Sequence, residues 1–236
     1  MKVVTVVGAR PQFVKAAPLS KALRERHKEV LVHTGQHYDR TLSEVFFDEL
    51  ELPVPDHNLS VGSASHGVQT ARMLEGLERL LLDERPDCVI VYGDTNSTLA
   101  GALAAAKLGI PVAHVEAGPR YHDLRMPEEV NRVVADHLAA VLFCPTASCL
   151  ENLRREGLGG RAHLTGDLML DALRMAEAVA ARRTGVLERL GVEPDGYLLL
   201  TLHRPANVDD PATVRRILEA LRRCGEPVVF PVHPRT

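Results

Sequence analysis

Residues 2–15 read KVVTVVGARPQFVK, and this stretch decides the fold. The run at 2–7 is rich in β-branched residues and predicts a buried strand, which Gly8 ends. Pro11 suits the first position of a helix, because its missing N–H would have no helical partner there. The stretch therefore predicts a strand, a short loop and a helix, which together form the opening unit of a parallel α/β sheet.

The same alternation of short apolar runs and longer helical patterns continues along the chain. Strands are predicted at 2–7, 29–33, 87–92, 111–115, 140–143 and 162–165, and helices near 12–26, 39–50, 64–84, 96–107, 127–138 and 146–156. Such alternation is typical of βαβ units around a parallel sheet. We therefore predict an α/β domain of six parallel strands over residues 1–167.

A second sheet is predicted to begin after a connector. A helix over 168–190, broken near Gly185, precedes a strand at 197–202, a helix at 211–223 and a strand at 227–232. Two strands and one helix cannot cover both faces of their own sheet, and a complete second α/β domain needs roughly 100 more residues. We therefore expect residues 168–236 to be a connector and the start of an incomplete second domain, and the chain to be a fragment of a longer one.

Composition and motifs exclude several functions. The net charge of −3, from 28 basic and 31 acidic residues, argues against a nucleic-acid partner, and no apolar run reaches the ~20 residues of a membrane helix. The four cysteines lack CxxC spacing, which indicates reduced thiols and a cytoplasmic protein. No GxGxxG, P-loop or HExxH motif is present, so neither a nicotinamide cofactor nor a zinc ion is expected.

Candidate site residues follow the predicted strands, because an open α/β sheet binds ligands outside the carboxyl ends of its strands. Arg10 and Lys15 belong to the first helix, whose N-terminal dipole favours an anion. They predict a diphosphate cradle, and two solvated cations on a helix that starts with proline are the alternative.

Carboxylates follow the third and fourth of these strands. Asp94 is either a catalytic group or only the N-cap of the next helix. Glu116 ends a buried strand, where a carboxylate is costly unless it is used or paired. Glu128 and Glu129 open a later helix, and one of the two is expected only to complement its dipole. Converging carboxylates beside a cationic cradle suit acid/base chemistry near a phosphorylated leaving group.

Three further candidates have weaker signals. Gln36 and His37 follow the second strand and can hydrogen-bond a sugar or nucleotide, although a polar turn explains them equally well. His203 follows the first strand of the second sheet, where a core histidine is the default interpretation.

Nine segments in register resemble the non-hydrolysing UDP-N-acetylglucosamine 2-epimerase family. They are GARPQFVKAAPL, TGQHYD, YGDTNSTLAGALAA, HVEAG, MPEEVNR, PTASCLENLRREG, TGDLMLDAL, LHRPAN and PVHPRT. The resemblance implies two Rossmann-like, doubly wound domains in the glycosyltransferase-B arrangement, without a cofactor. It also implies a homodimer that acts in cell-surface polysaccharide biosynthesis.

The resemblance also implies a reaction and roles for the candidates. UDP-N-acetylglucosamine and UDP-N-acetylmannosamine are interconverted by removal of the C2 proton, loss of UDP to give a 2-acetamidoglucal, and re-addition of UDP. Arg10 and Lys15 would serve the diphosphate and sugar, and Asp94, Glu116 and Glu128 the acid/base steps. His203 would be a cleft contact near the leaving group, and Gln36 and His37 match a region where some members bind a regulatory nucleotide sugar.

The sequence departs from the family pattern in places and leaves alternatives open. Pro119 removes a backbone donor near Glu116, and HRPAN lacks a usual carboxylate. The family's Thr-Asp-Ser-Gly-Gly segment would lie beyond Thr236, so we expect the 236-residue chain alone to be inactive. A hydrolysing enzyme, a diacetamido-sugar 2-epimerase, a glycosyltransferase and a fragment that only binds sugar nucleotides remain alternatives.

Overall fold

The computed structural model describes residues 1–36, 52–182, 185–232 and 236. These residues form two compact units, Met1–Val179 and Ala180–Thr236. The helix predicted at 39–50 lies outside the described residues.

The first unit is built on one parallel sheet. Its strands are β1 Lys2–Val7, β2 Lys28–His33, β3 His57–Asn58, β4 Cys88–Tyr92, β5 Val112–Val115, β6 Val141–Cys144 and β7 Ala162–Leu164. They lie in the order β3-β2-β1-β4-β5-β6-β7, and every neighbouring pair is parallel. The six predicted strands are confirmed. β3 was not predicted, because two residues are too short to show an alternating pattern.

Helices cover both faces of this sheet. They are α1 Arg10–Arg24, α2 His66–Glu84, α3 Asn96–Lys107, α4 Pro127–Leu138, α5 Ala147–Arg155 and α6 Leu168–Ala180. A short 3₁₀ helix spans Gly159–Arg161. Side chains alternate along β1, so that Val3 and Val7 pack in the core that contains Phe13 of α1, and Val4 packs in the opposite core with Met73 of α2. The predicted Rossmann-like, doubly wound sheet is therefore confirmed.

The first unit extends past residue 167, where the sequence placed the end of the first domain. Leu168 of α6 packs against its core, and Ala172 is buried. The division into units falls within α6, after Val179.

The second unit is small. It contains α7 Val186–Leu190, α8 Pro205–Val208 and α9 Pro211–Arg223, with β8 Leu198–Leu199 and β9 Val228–Val229 as a parallel pair. The predicted helix at 211–223 is confirmed, but the strands are shorter than predicted. Leu199 of β8 is 71% exposed. A pair of two strands is only marginally stable without packing against a face, so longer strands are not stabilised here.

The cysteines are free thiols, as predicted. Cys144 and Cys149 are buried, Cys88 is half-buried and Cys224 is exposed. Burial raises the pKa of the Cys144 thiol to about 11, so that thiol is protonated at neutral pH. Within 1–36, 52–182 and 185–232, no helix combines the length and apolar character that crossing a bilayer requires.

Gly118 is a position where the fold demands glycine. Its φ is +89°, and a Cβ there would lie 2.4 Å from the carbonyl oxygen of Cys149. We expect Gly118→Ala to lower the free energy of unfolding by on the order of 3 kcal/mol, because strain and a backbone clash add. The measurement is urea denaturation.

Gly109→Ala is the matched control. Gly109 has a φ of +69°, and nothing lies within 4 Å of the added Cβ, so it tests the backbone strain alone. We expect it to cost about 1–2 kcal/mol. Equal losses in the two variants would contradict the clash at Gly118.

Candidate functional site

The site begins where β1 and β4 lie side by side. The chain leaves these neighbours in opposite directions across the sheet, toward β2 on one side and β5 on the other. Such a switch point opens a crevice at the carboxyl ends of the strands, which is where α/β sheets bind ligands. Arg10 begins the helix that follows β1, and the loop after β4 carries Asp94.

Gln12 joins the two sides of the switch point. Its Oε1 accepts hydrogen bonds from the N–H groups of Gly8 and Ala9, at 2.8 and 3.1 Å. Its Nε2 donates to the carbonyl of Tyr92 and to the hydroxyl of Thr98, at 3.0 and 3.1 Å. Two loop N–H groups that could have faced an anion are therefore already bonded. No role for Gln12 was predicted from the sequence.

Lys15 and Glu116 form a largely buried ion pair. Lys15 Nζ contacts Glu116 Oε2, and only 10% of the lysine side chain is exposed. The alternative of a solvated cation is therefore wrong for Lys15. Glu116 has a φ of +66°, a left-handed conformation that is strained for a residue with a side chain. A Cβ on Gly93 would lie 3.1 Å from Glu116 Oε2, so glycine there leaves room for the pair.

Asp94 is paired and does not cap α3. Thr95 is the N-cap, and its hydroxyl accepts a hydrogen bond from the N–H of Thr98. The Asp94 carboxylate instead forms an ion pair with Arg132 of α4. The interpretation of Asp94 as only a helix cap is therefore wrong.

Arg132 also holds Glu129. Its Nη1 lies 2.8 Å from Glu129 Oε2, and the N–H groups of Tyr121 and His122 donate to the same carboxylate. Burial alone would raise the pKa of Glu129, but these N–H groups and the arginine charges outweigh burial and lower it. The sequence analysis missed Arg132, since nothing local marks an arginine inside a helix as a partner of residues after β4.

Glu128 and Glu129 have different environments. Glu129 is 1% exposed and fully engaged, which makes it the structural member of the pair. Glu128 is exposed in the first turn of α4 and forms no ion pair with the residues that the structure describes. This arrangement leaves Glu128 available to a ligand.

A cavity of about 210 Å³ adjoins the Lys15–Glu116 pair. It lies at the carboxyl ends of β5, β6 and β7, and two further carboxylates line it, Asp167 and Asp171. Val115 and Phe143 supply part of its apolar wall. The sequence analysis did not name these aspartates, although Asp167 follows a predicted strand and could have been found by the same rule.

The remaining candidates are placed less centrally. Gln36 Oε1 accepts a hydrogen bond from Ser97 Oγ at 2.7 Å, so its side chain is tied to the first turn of α3. His37 lies outside the described residues. His203 is exposed in the second unit. Arg10 is exposed at the start of α1.

The chain is similar to proteins of known name. It matches the family described as UDP-N-acetylglucosamine 2-epimerase over residues 21–236. It is 49% identical to a UDP-N-acetylglucosamine 2-epimerase homolog of Methanococcus maripaludis, with 100% of this chain and 66% of that protein covered. It is 47% identical to the UDP-2,3-diacetamido-2,3-dideoxy-D-glucuronate 2-epimerase of Pseudomonas aeruginosa, with 100% of this chain and 68% of that protein covered.

One solved structure extends the likeness to the fold. It is the crystal structure of the UDP-GlcNAc 2-epimerase of Methanocaldococcus jannaschii in complex with UDP-GlcNAc and UDP. The TM-score is 0.89 at 42% identity, with 100% of this chain and 67% of that chain covered. The chain therefore spans about two thirds of the length of these relatives.

The contrast between Glu128 and Glu129 is testable. We expect Glu129→Gln to lower the free energy of unfolding by about 3 kcal/mol, because it leaves the buried Arg132 without one partner. Glu128→Gln should change it by less than about 0.5 kcal/mol. Urea denaturation at pH 7 measures both.

The pH dependence of stability provides a second test of the contrast between Glu128 and Glu129. Because the folded-state pKa of Glu129 is lowered, its contribution to stability is present above the unfolded value of about 4.3 and is lost as pH falls through the folded value. The difference between wild type and Glu129→Gln should therefore shrink below about pH 4. A difference that stays constant down to pH 2 would contradict the lowered pKa.

Proposed function

The chain belongs to the UDP-N-acetylglucosamine 2-epimerase family, and on that premise we propose that the protein interconverts UDP-N-acetylglucosamine and UDP-N-acetylmannosamine. One observation carries the proposal. Two carboxylates, Glu116 and Asp94, follow the neighbouring strands β5 and β4, and each is paired with a cation. Epimerisation at a carbon needs groups that remove a proton and return one on the opposite face.

The proposed reaction proceeds by elimination and re-addition. A carboxylate takes the C2 proton, the electron pair of the C2–H bond forms the C1–C2 double bond, and the C1–O bond breaks with its electrons leaving on UDP. UDP then adds to C1 of the 2-acetamidoglucal, and C2 receives a proton on the other face. Lys15 and Arg132 each hold one of these carboxylates in a fixed direction, as proton transfer to a positioned group requires.

The departing UDP carries negative charge that must be stabilised at once. Arg10 stands at the N-terminus of α1, where the helix dipole adds to its positive charge. Lys15 lies five residues further along the helix. We assign these two residues to the diphosphate and sugar, Glu128 to an acid/base step, and His203 to a contact near the leaving group.

A second substrate is favoured by one relative. The Pseudomonas aeruginosa protein, 47% identical, is named for a diacetamido uronate sugar. Parallel assays with UDP-N-acetylglucosamine and UDP-2,3-diacetamido-2,3-dideoxyglucuronate separate the two candidates. Release of free UDP with the 2-epimeric sugar would identify a hydrolysing enzyme instead.

Further properties belong to the same proposal. The free cysteines suit a reducing compartment, and we assign the protein to the cytoplasm. We also propose a homodimer that acts in cell-surface polysaccharide biosynthesis. A regulatory role for Gln36 and His37 would require a ligand to compete with the hydrogen bond between Gln36 and Ser97.

Solvent isotope incorporation tests the reaction, in a chain with the full length of the relatives. We expect deuterium from D₂O at C2 of the product, because the proton that returns comes from a group in exchange with solvent. Asp94→Asn, Glu116→Gln and Glu128→Gln should each lower turnover by on the order of 10²-fold. Asp83→Asn, an exposed carboxylate on α2, is the control and should have no effect. Epimerisation without deuterium at C2 would exclude proton abstraction.

The proposed chemistry needs no metal or nicotinamide. Among the residues that the structure describes, no group of three or more His, Cys, Asp or Glu side chains is arranged to hold a metal ion. We expect turnover to survive exhaustive chelation without added nicotinamide. Activity that is lost on chelation and restored by a metal ion would contradict this expectation.

A further inference from the structure

His114 of β5 is fully buried, and both of its ring nitrogens face an oxygen. Nε2 lies 2.7 Å from the carbonyl oxygen of Gly93, and Nδ1 lies 2.7 Å from Oδ1 of Asp136 on α4. A carbonyl oxygen can only accept a hydrogen bond, so Nε2 must carry a proton. The charge of the ring then depends on whether Nδ1 also carries a proton.

The Asp136 carboxylate also accepts hydrogen bonds from two other groups. Its Oδ2 receives hydrogen bonds from Arg120 Nη1 at 2.8 Å and from the N–H of Gly118 at 3.2 Å. Burial alone would raise the pKa of Asp136, but the hydrogen bonds from His114 and Arg120 and the charge of Arg120 lower it. An ionised carboxylate has no proton to give, so Nδ1 must be the donor as well.

The surrounding charges balance a cationic ring. The Arg120 side chain is 1% exposed and binds Glu156, whose side chain is 28% exposed, through two parallel hydrogen bonds of 2.7 Å, Nε to Oε1 and Nη2 to Oε2. We call His114, Asp136, Arg120 and Glu156 the buried charge chain. With a doubly protonated His114 its signs alternate and its net charge is zero, which suits a buried cluster.

Other titratable groups near the chain do not upset this balance. Cys144 faces Asp136, and its raised pKa of about 11 keeps the thiol neutral. On the far side of Gly93, Glu116 and Lys15 neutralise each other. These neighbours therefore add no uncompensated charge beside the ring.

We propose that His114 is held as an imidazolium, protonated at both nitrogens, and that it positions the turn of Gly93 and Asp94. The N–H of Gly93 donates to Val115 O at 2.9 Å and its carbonyl accepts from His114, so both backbone groups of Gly93 are bonded to β5. Asp94 follows directly, with its own carbonyl held by Asn131 at 2.9 Å. His114 is fully buried among protein groups and is therefore a positioning residue.

Nuclear magnetic resonance of the ¹⁵N-labelled 236-residue chain tests the protonation state. We expect two slowly exchanging ring N–H protons on His114 at pH 8.5, two units above the ordinary histidine pKa of about 6.5. Exposed His163 on β7 is the internal comparison, and its ring should show no slowly exchanging N–H protons, because solvent reaches it. His114→Gln assigns the signals by their loss. A single N–H on His114 at pH 8.5 would overturn the proposal.

Asp136→Asn tests the cause of that protonation. An amide presents no charge to Nδ1, so we expect the ring to lose one of its two N–H protons at pH 8.5. A ring that keeps both protons in this variant would show that the charge chain does not hold them. If the variant does not fold, the result on the wild-type ring still decides the proposal.

The positioning role rests on the proposed function and has its own readout, again in a chain with the full length of the relatives. We expect His114→Gln to lower kcat on the order of 10-fold or more at nearly unchanged KM, because Asp94 is misplaced while binding groups remain. The matched control His163→Gln should match wild type. An unchanged kcat in folded His114→Gln would overturn the positioning role. Two ring protons together with no epimerase activity in wild type would reject the proposed function and leave the protonation state standing.

Discussion

Four hydrogen bonds from one buried side chain, that of Gln12, hold the crevice in shape. They tie the loop after β1 to the end of β4, the two strands between which the chain reverses direction across the sheet. Lys15 lies three residues further along α1 and therefore on the same face of the helix as Gln12. The anchored first turn thus directs Lys15 toward Glu116, and the rest of the site follows from that placement.

Charged groups around the crevice occur in combinations that compensate one another. Lys15 holds Glu116, Arg132 lies between Asp94 and Glu129, and Arg120 lies between Asp136 and Glu156. A buried charge without a partner would cost several kcal/mol, so each of these groups depends on its neighbour to remain in place. The same pairs fix the directions of the side chains, which is what catalysis by positioned carboxylates requires.

The sequence predicted the sheet of the first unit and the residues at its carboxyl edge, because strand runs and the polar residues after them are local signals. It could not decide whether Asp94 caps α3, since that depends on Thr95 taking the role. It also missed Arg132 and Asp136, whose partners lie 38 and 22 residues away and are brought close only by the packing of α4 on the sheet. The strands β8 and β9 are shorter than their apolar runs predicted. Strand length depends on packing against neighbouring elements, which the β-propensity of a segment does not show.

The left-handed backbone of Glu116 has a consequence for how this protein can be changed. A residue with a side chain costs roughly 1–2 kcal/mol in that conformation, and glycine would adopt it freely. Glycine at position 116 would relieve that strain, but it would also remove the partner of the largely buried Lys15, and an unpaired buried charge costs several kcal/mol. The ion pair therefore keeps a strained residue in place, and relief of the strain at position 116 would not by itself raise the stability of the fold.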